Sequence, residues 1–328
     1  MGKKVGIICL FLGAFLLTLA ALSKFYMYDR LAVAPLDQNT TGTSTTAPGA
    51  DATYLDVAAG VKIVTGPLKS VRVTIGNVKL SKEASKDLDE DVTVWDTFVQ
   101  TDTPSFSFGS GATPLSGTKD RVAFDRNTGA AVDWSGTSSE SDGVKTAGDF
   151  TGQYFKFPFD TQKKTHKFWD SNLLKSTDAT YEGESTIKGL KVYKFVQTIE
   201  PTKTGVTDVP GALVGEEAST VSADLMYSTV RTLYIDPPTG VIIKGSESQN
   251  SYLAVNGEKR ATTTEATLTY TDAYVKATVD EYKGKSKSLT LVKSTIPLVG
   301  LIGGLILIAA GAITFAGSLR KRVAPEEE

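Results

Sequence analysis

The chain has 328 residues, a formal charge of −2 and a single cysteine, Cys9. Five basic and three acidic groups lie outside Ser23–Ser294, which leaves that middle with 30 basic and 34 acidic groups and none of the basic excess that nucleic-acid binding requires. The middle has no cysteine, which excludes thiolate chemistry and internal disulfides there, so an apolar core must hold it.

Residues 1–4 form a short tail with Lys3 and Lys4. Residues 5–22, Val5 to Leu22, are uncharged; as a helix rising about 1.5 Å per residue they just cross a hydrocarbon core. The best small-x-small site, Ala32-Val33-Ala34, is followed by Pro35, so the segment is expected to stay uncleaved as a signal anchor. Residues 295–319, Thr295 to Leu319, are a second uncharged run. Arg320, Lys321 and Arg322 follow at the start of a second tail, residues 320–328. The basic groups flanking both runs predict both termini in the cytoplasm and residues 23–294 outside it. Gly300 and Gly304 have the GxxxG spacing, and Cys9 and Gly13 on the first run are also small and four apart. Such residues let membrane helices approach closely.

Within the middle, Asn39–Thr46 reads NTTGTSTT, a polar, low-complexity stretch expected to be a linker or an extended edge. Period-two alternation then predicts strands over Val61–Val64, Val71–Ile75, Val92–Val99, Lys191–Ile199, Tyr227–Ile235, Val241–Lys244 and Thr262–Tyr270. Two joints share an Asp-x-x-Thr-Gly pattern, one with Asp125, Thr128 and Gly129 and the other with Asp236, Thr239 and Gly240. The aspartate can accept hydrogen bonds from the turn, and the glycine supplies a positive φ. A short helix is expected over Asp272–Gly284, started by Asp272. The expected fold is mostly β: one large extracytoplasmic β-sandwich or barrel-like domain between two transmembrane helices.

Catalytic signatures are sparse. His166 is the one histidine and sits among Lys163, Lys164 and Lys167; no Gly-x-Ser-x-Gly elbow accompanies it. The acidic run Asp87, Asp89, Glu90 and Asp91 lacks the spacing and glycine of an EF-hand loop. No Walker loop or dinucleotide fingerprint occurs. No catalytic, cofactor-binding or metal residue is assigned, and no cofactor is expected. The most distinctive stretch is Tyr154, Phe155, Lys156, Phe157, Pro158, Phe159, Asp160 and Thr161, continuing to Phe168, Trp169 and Asp170. It reads either as a contact surface for lipid or sugar, with aromatic faces and lysines for anionic head groups, or as a core strand followed by a charged turn.

The Lys156–Thr161 run with Trp169-Asp170 downstream, Ala34-Pro35-Leu36-Asp37 after the first apolar run, and the two Asp-x-x-Thr-Gly turns resemble the actinobacterial PorA porin family, also described as a domain of unknown function. The resemblance covers nearly the whole chain. It implies a protein of the actinobacterial cell envelope, some members being associated with building envelope lipids and lipoglycans, and it supplies no catalytic residues. Together these features predict a non-enzymatic, two-pass envelope protein that binds, chaperones or scaffolds assembly of a lipid or lipoglycan. Its expected partners are the membrane, an envelope lipid or glycolipid and other envelope-biogenesis proteins, without nucleic acid. The alternatives are an oligomeric pore, since two helices cannot enclose a channel, and a glycan-acting enzyme using paired carboxylates.

Overall fold

The structure is a computed structural model that describes residues 2–57, 60–146 and 148–320. Lys321, Arg322 and the rest of the C-terminal tail lie outside the described residues. Two units divide the chain: one is Ala34–Lys283, and the other joins the residues through Val33 to those from Gly284 onward.

Helix α1 (Gly2–Leu22), a π-turn (Ser23–Met27) and α2 (Tyr28–Leu31) follow one another without a break. The β unit opens with β1 (Asn39–Thr45), β2 (Ala52–Asp56), β3 (Lys62–Gly66) and β4 (Lys69–Gly76). Helix α3 (Val78–Leu88) comes next, capped by Asn77, whose Oδ1 accepts from the Leu80 amide at 3.1 Å. Strands β5 (Val92–Asp102), β6 (Ser116–Asp125), β7 (Ser138–Ser141), β8 (Val144–Thr146), β9 (His166–Asp170), β10 (Lys175–Ile187) and β11 (Leu190–Pro210) lead to the single turn α4 (Gly211–Val214). The unit finishes with β12 (Thr220–Ile235), β13 (Ile242–Val255) and β14 (Glu258–Tyr270). Helix α5 (Asp272–Thr290) then passes through a second π-turn (Leu291–Thr295) into α6 (Ile296–Arg320).

The strands form one antiparallel sheet in the order β8-β7-β6-β5-β4-β1-β14-β13-β12-β11-β10-β9, with the β2–β3 hairpin paired to β14. The sheet curls until two short segments join its far sides. Phe124 of β6 bridges Ala131, Ala130 bridges Gln153, and Gln153 bridges Phe168 of β9. Of the two expected architectures the barrel-like one is the match, and closure covers the outer edge of β9, which would otherwise invite pairing with another chain.

Two expectations need correction, and one helix is additional to those expected. Asn39–Thr45 is neither a linker nor an edge: it is β1, paired along its length to β4 and at its end to β14. Its face with Thr40, Gly42 and Ser44 lines an internal cavity, so a strand there needs no apolar residues. The helix from Asp272 does not stop at Gly284 but runs on to Thr290. A glycine inside a helix costs only about 1 kcal/mol, and no proline follows before Pro297. Helix α3 was not expected; Leu80, Ala84 and Leu88 pack it onto Val92, Val94 and Ala123.

The principal core gathers Phe157, Phe168, Phe195, Leu233 and Ile235. Each such side chain contributes roughly 1.5–3 kcal/mol on burial. Val279 of α5 packs with Leu190, Val192 and Ile243, which ties the start of the long helix to the sheet.

In the helical unit, Lys3–Leu31 and Asp272–Ser318 are each long and apolar enough to cross a membrane. Glycines set how closely the helices pack. A Cβ on Gly13 would lie 2.8 Å from the Gly304 carbonyl, and one on Gly304 would lie 2.9 Å from the Gly13 carbonyl. Gly6 faces Gly311, and Gly300 faces Ala20, so the seam extends a heptad to either side of Gly13. The Ser23 hydroxyl donates to the Val292 carbonyl at 2.7 Å, linking the two π-turns.

Candidate functional site

The segments singled out in the sequence meet in one place. Each Asp-x-x-Thr-Gly turn is built the same way. Asp125 Oδ1 accepts from the Thr128 amide and hydroxyl at 2.6 and 2.7 Å, and Asp236 Oδ2 accepts from the Thr239 hydroxyl and amide at 2.5 and 3.3 Å. Gly129 and Gly240 both have φ of 72°, a region open to glycine at no steric cost. Lys156–Thr161 is threaded between the two turns. The Phe157 amide donates to the Gly240 carbonyl at 2.7 Å, the Thr161 amide to the Pro237 carbonyl at 2.8 Å, and the Phe159 amide to the Asn127 carbonyl at 3.3 Å. Ala34 joins the same clasp: its amide donates to the Arg126 carbonyl, and Arg126 Nε donates back to the Ala34 carbonyl, both at 2.8 Å.

This stretch does not form an exposed aromatic surface. Lys156, Phe157 and Thr161 are buried, and Phe155, Pro158, Phe159 and Asp160 are half-buried. Phe157 stacks on Phe168 and packs at a tilt against Phe195. Lys156 Nζ donates to the Phe157 carbonyl at 2.6 Å and lies 3.8 Å from the Phe159 ring centroid. Burial pushes the Lys156 pKa down to about 7, against the opposing charge of Asp125. His166 is buried in β9 against Phe157 and Phe195, and burial lowers its pKa, with the Gln162 carbonyl opposing. Lys163 and Lys167 point away to pair with Glu184 and Asp178.

Tyr154, Phe168 and Trp169 reach the wall of a cavity of about 550 Å³ inside the curled sheet, a volume within the usual range of about 300–1,000 Å³ for ligand sites. Alternation positions its lining: Ser70, Arg72 and Thr74 from β4, Thr118 and Asp120 from β6, and Glu247 and Gln249 from β13. An aliphatic cluster of Leu68, Leu115, Ala266 and Leu268 also lines the cavity. Tyr274, at the start of α5, also lines it and packs on Gly42, where a Cβ would come 3.2 Å from the tyrosine ring. The cavity is therefore amphipathic.

Two arginines face it and differ in how they are held. Arg231 on β12 is fully engaged. It donates to Asp170 Oδ2 at 3.1 Å, to Glu247 Oε1 at 2.8 Å and to Gln197 Oε1 at 2.5 Å. Asp170 is completely buried and also accepts from the Tyr227 hydroxyl at 2.9 Å and from the Asn172 and Leu173 amides. Burial would lower the Arg231 pKa, but Glu247 and Asp170 more than offset it and the net shift is upward. The Glu247 carboxyl is held below the usual range; burial opposes this, and Arg231 and Arg72 outweigh it. Arg72 on β4 instead lies on the wall of the open cavity and is exposed to solvent there. Its guanidinium lies 5.7 Å from the Tyr154 ring centroid. The Tyr154 hydroxyl donates to Asp120, and the Tyr154 pKa is raised, chiefly by burial.

The cavity residues Arg72, Arg231, Glu247, Asp120, Tyr270 and Tyr274 were not singled out in the sequence. The available signal was a charged residue inside the alternating run Val71-Arg72-Val73, which reads equally well as a solvent-facing position. The acidic run near Asp87 closes α3: Asp87 accepts from the Trp134 indole at 3.1 Å and Asp91 pairs with Arg126. Among the described residues no group of three or more His, Cys, Asp or Glu could hold a metal ion.

Comparison with known proteins adds family-level likeness. The family model described as Porin PorA matches residues 5–313. A Porin PorA of Corynebacterium amycolatum is 26% identical over a match covering 58% of this chain and 63% of that protein. A Porin PorA of Corynebacterium resistens is 24% identical, covering 61% and 66% respectively. The chain thus spans just under two thirds of the length of each of these relatives.

Proposed function

The chain belongs to the PorA porin family, and from that premise we propose that it is a membrane-anchored envelope protein whose β unit binds an amphiphile, a lipid or glycolipid, in its internal cavity. The observation that carries this reading is the composition of the cavity wall, which combines hydroxyls and guanidinium groups with the clustered side chains of Leu68, Leu115 and Leu268. Tyr154, Phe168 and Trp169 contribute aromatic faces to the same wall. The two apolar helices hold the protein in the membrane, with both termini cytoplasmic and the β unit outside. Assembly with other envelope-biogenesis proteins would follow from presenting the bound amphiphile. The test is native mass spectrometry and lipid extraction of the full chain purified in mild detergent from an actinobacterial host. A near-stoichiometric bound lipid is expected. An empty chain, alongside a control protein that keeps its lipid through the same procedure, would sink the reading.

A pore is the second reading, and the relatives' names favour it more directly, since they say porin and mention no lipid. The outer face of the sheet weighs on how such a pore would be built. It carries the cross-strand ion pairs Lys194–Glu182 and Lys203–Asp224, whereas a barrel in lipid needs an apolar outer band. A pore would therefore be lined by the helices of several chains. Stepwise conductance of the purified chain in planar bilayers would establish this reading, and silent bilayers at protein densities sufficient for a known porin would remove it.

A further inference from the structure

Arg72 stands apart from the other charged groups of the cavity. Its neighbours across the sheet are Gly42 on β1 and Val99 on β5, so neither cross-strand position, where a partner acid would sit, offers a carboxylate. Among the described residues its side chain makes no ion pair and no hydrogen bond, and its guanidinium lies 5.7 Å from the Tyr154 ring centroid. The acids on the wall are already committed. Asp120 accepts from the Ser139 and Tyr154 hydroxyls, Glu247 from Arg231 and Thr229, and Asp142 from the Gly117 amide. Ser70 and Thr74 flank Arg72 on the same face of β4, and the Ser44 side of β1 lies on the same wall. A guanidinium with donors to spare, beside hydroxyls, in a cavity that also has aliphatic lining, is the arrangement that recognises an anionic head attached to an alkyl chain.

We propose that Arg72 anchors a monoanionic head group, a carboxylate or a phosphodiester, of the amphiphile bound in this cavity. The committed acids nearby repel a second negative charge, so a monoanion fits better than a dianion. The inference rests on the amphiphile reading and adds to it the charge class of the ligand and the residue that selects it. The charge of Arg72 is secure in this setting: burial works against it, and Tyr154, Tyr270 and Asp120 together outweigh that.

The test is calorimetric titration of the full chain in lipid nanodiscs, with empty nanodiscs as the blank. Decanoate is compared with decan-1-ol, and dihexanoyl phosphatidylglycerol with inorganic phosphate. Decanoate should bind about ten- to hundredfold more tightly than decan-1-ol, the span of a charged hydrogen bond in a shielded site. Arg72→Met should abolish that preference while leaving decan-1-ol binding and the far-ultraviolet spectrum unchanged, and Arg72→Lys should restore part of it. Lys194→Met, which removes a cation from the outer face, should leave the preference intact. Equal binding of decanoate and decan-1-ol by the unmodified chain, or a preference that survives Arg72→Met, would overturn the inference and leave the amphiphile reading standing. If inorganic phosphate binds as tightly as the phosphatidylglycerol, the site is one for a free anion and the head-group assignment is overturned. Binding of none of the four probes would overturn both readings together.

Discussion

Phe157 donates its backbone amide to the Gly240 carbonyl at 2.7 Å, and the Gly240 α-carbon lies so close in return that a Cβ there would come 2.0 Å from the Phe157 carbonyl oxygen. Two segments far apart in sequence are thereby locked at backbone distance. The lock works because Gly240 has a positive φ and no side chain.

Gly240→Ala should therefore be severe. An alanine in the left-handed region costs about 1–2 kcal/mol by itself, and the clash with backbone adds to that, so the total should exceed about 3 kcal/mol. Gly257→Ala is the matched control. Its φ is 80° and nothing lies within 4 Å of its Cβ position, so it should show only the backbone cost. Thermal melts of both variants in the same detergent make the comparison, and similar losses would mean that the Phe157 contact is not tight.

Lys156 predicts a specific pH dependence. Its pKa falls from 10.5 to about 7 on folding, burial being the main cause and Asp125 the opposing charge. Between those values the unfolded chain holds a proton that the folded chain does not, so this group makes stability rise with pH across the window and level off below about pH 7. Lys156→Met should flatten that rise. The variant should compare most favourably with the parent near pH 6 and least favourably near pH 10. The carbonyl of Phe157, left without its donor, adds a constant offset that does not change with pH. Melting temperatures at pH 6, 8 and 10 read the slope, and parallel curves for parent and variant would contradict it.

Much of this architecture is legible in the sequence, and the part that is not has a physical cause. The alternation of Val71, Val73 and Ile75 and the two Asp-x-x-Thr-Gly turns are local features, set by neighbouring residues. Alternation, however, states which residues share a face and not which face turns inward. Arg72 reads as a position on the outer surface, and only closure of the sheet through Gln153 turns that face into a cavity wall. The same ambiguity hides β1, whose polar Thr40 and Ser44 face the cavity. The grip on Lys156–Thr161 depends on residues near 127 and 238, and no local pattern encodes such pairings. Helix α3 did carry a signal, with Asn77 as cap and Leu80, Ala84 and Leu88 four apart, but it is short and lies between strands.

The Arg231 network should fail at one point and recover with acid. Arg231→Met leaves the buried carboxylate of Asp170 and the half-buried one of Glu247 without their shared cation, a loss of about 3–5 kcal/mol at neutral pH. In the parent the Glu247 carboxyl is held low, so its contribution is present above the usual carboxylate range and fades as pH falls. In the variant the Glu247 carboxyl loses the cation that held it low and can protonate, which relieves its share of the penalty. The gap in stability between parent and variant should therefore narrow below about pH 4.5. A gap of constant size from pH 7 to pH 4 would show that lost packing, and not uncompensated charge, accounts for the effect.

The helix pair gives a test independent of the β unit. A leucine at position 304 would drive its side chain into Leu17 and the Gly13 carbonyl, which a Cβ alone would already approach to 2.8 and 2.9 Å. Without a hydrophobic drive between helices in lipid, their association depends on such close packing, so Gly304→Leu should loosen it. Spin labels placed at Ile8 and Ile313, both exposed on their helices, with Cys9→Ser to remove the native thiol, report the separation. In nanodiscs the parent should give a narrow distance distribution and Gly304→Leu a broader one shifted to longer distances. Gly317→Leu, where nothing lies within 4 Å, should keep the parent's distribution. If Gly304→Leu also keeps it, the glycine seam does not set the spacing, and the contact must be held by the Ser23–Val292 hydrogen bond and the chain ends instead.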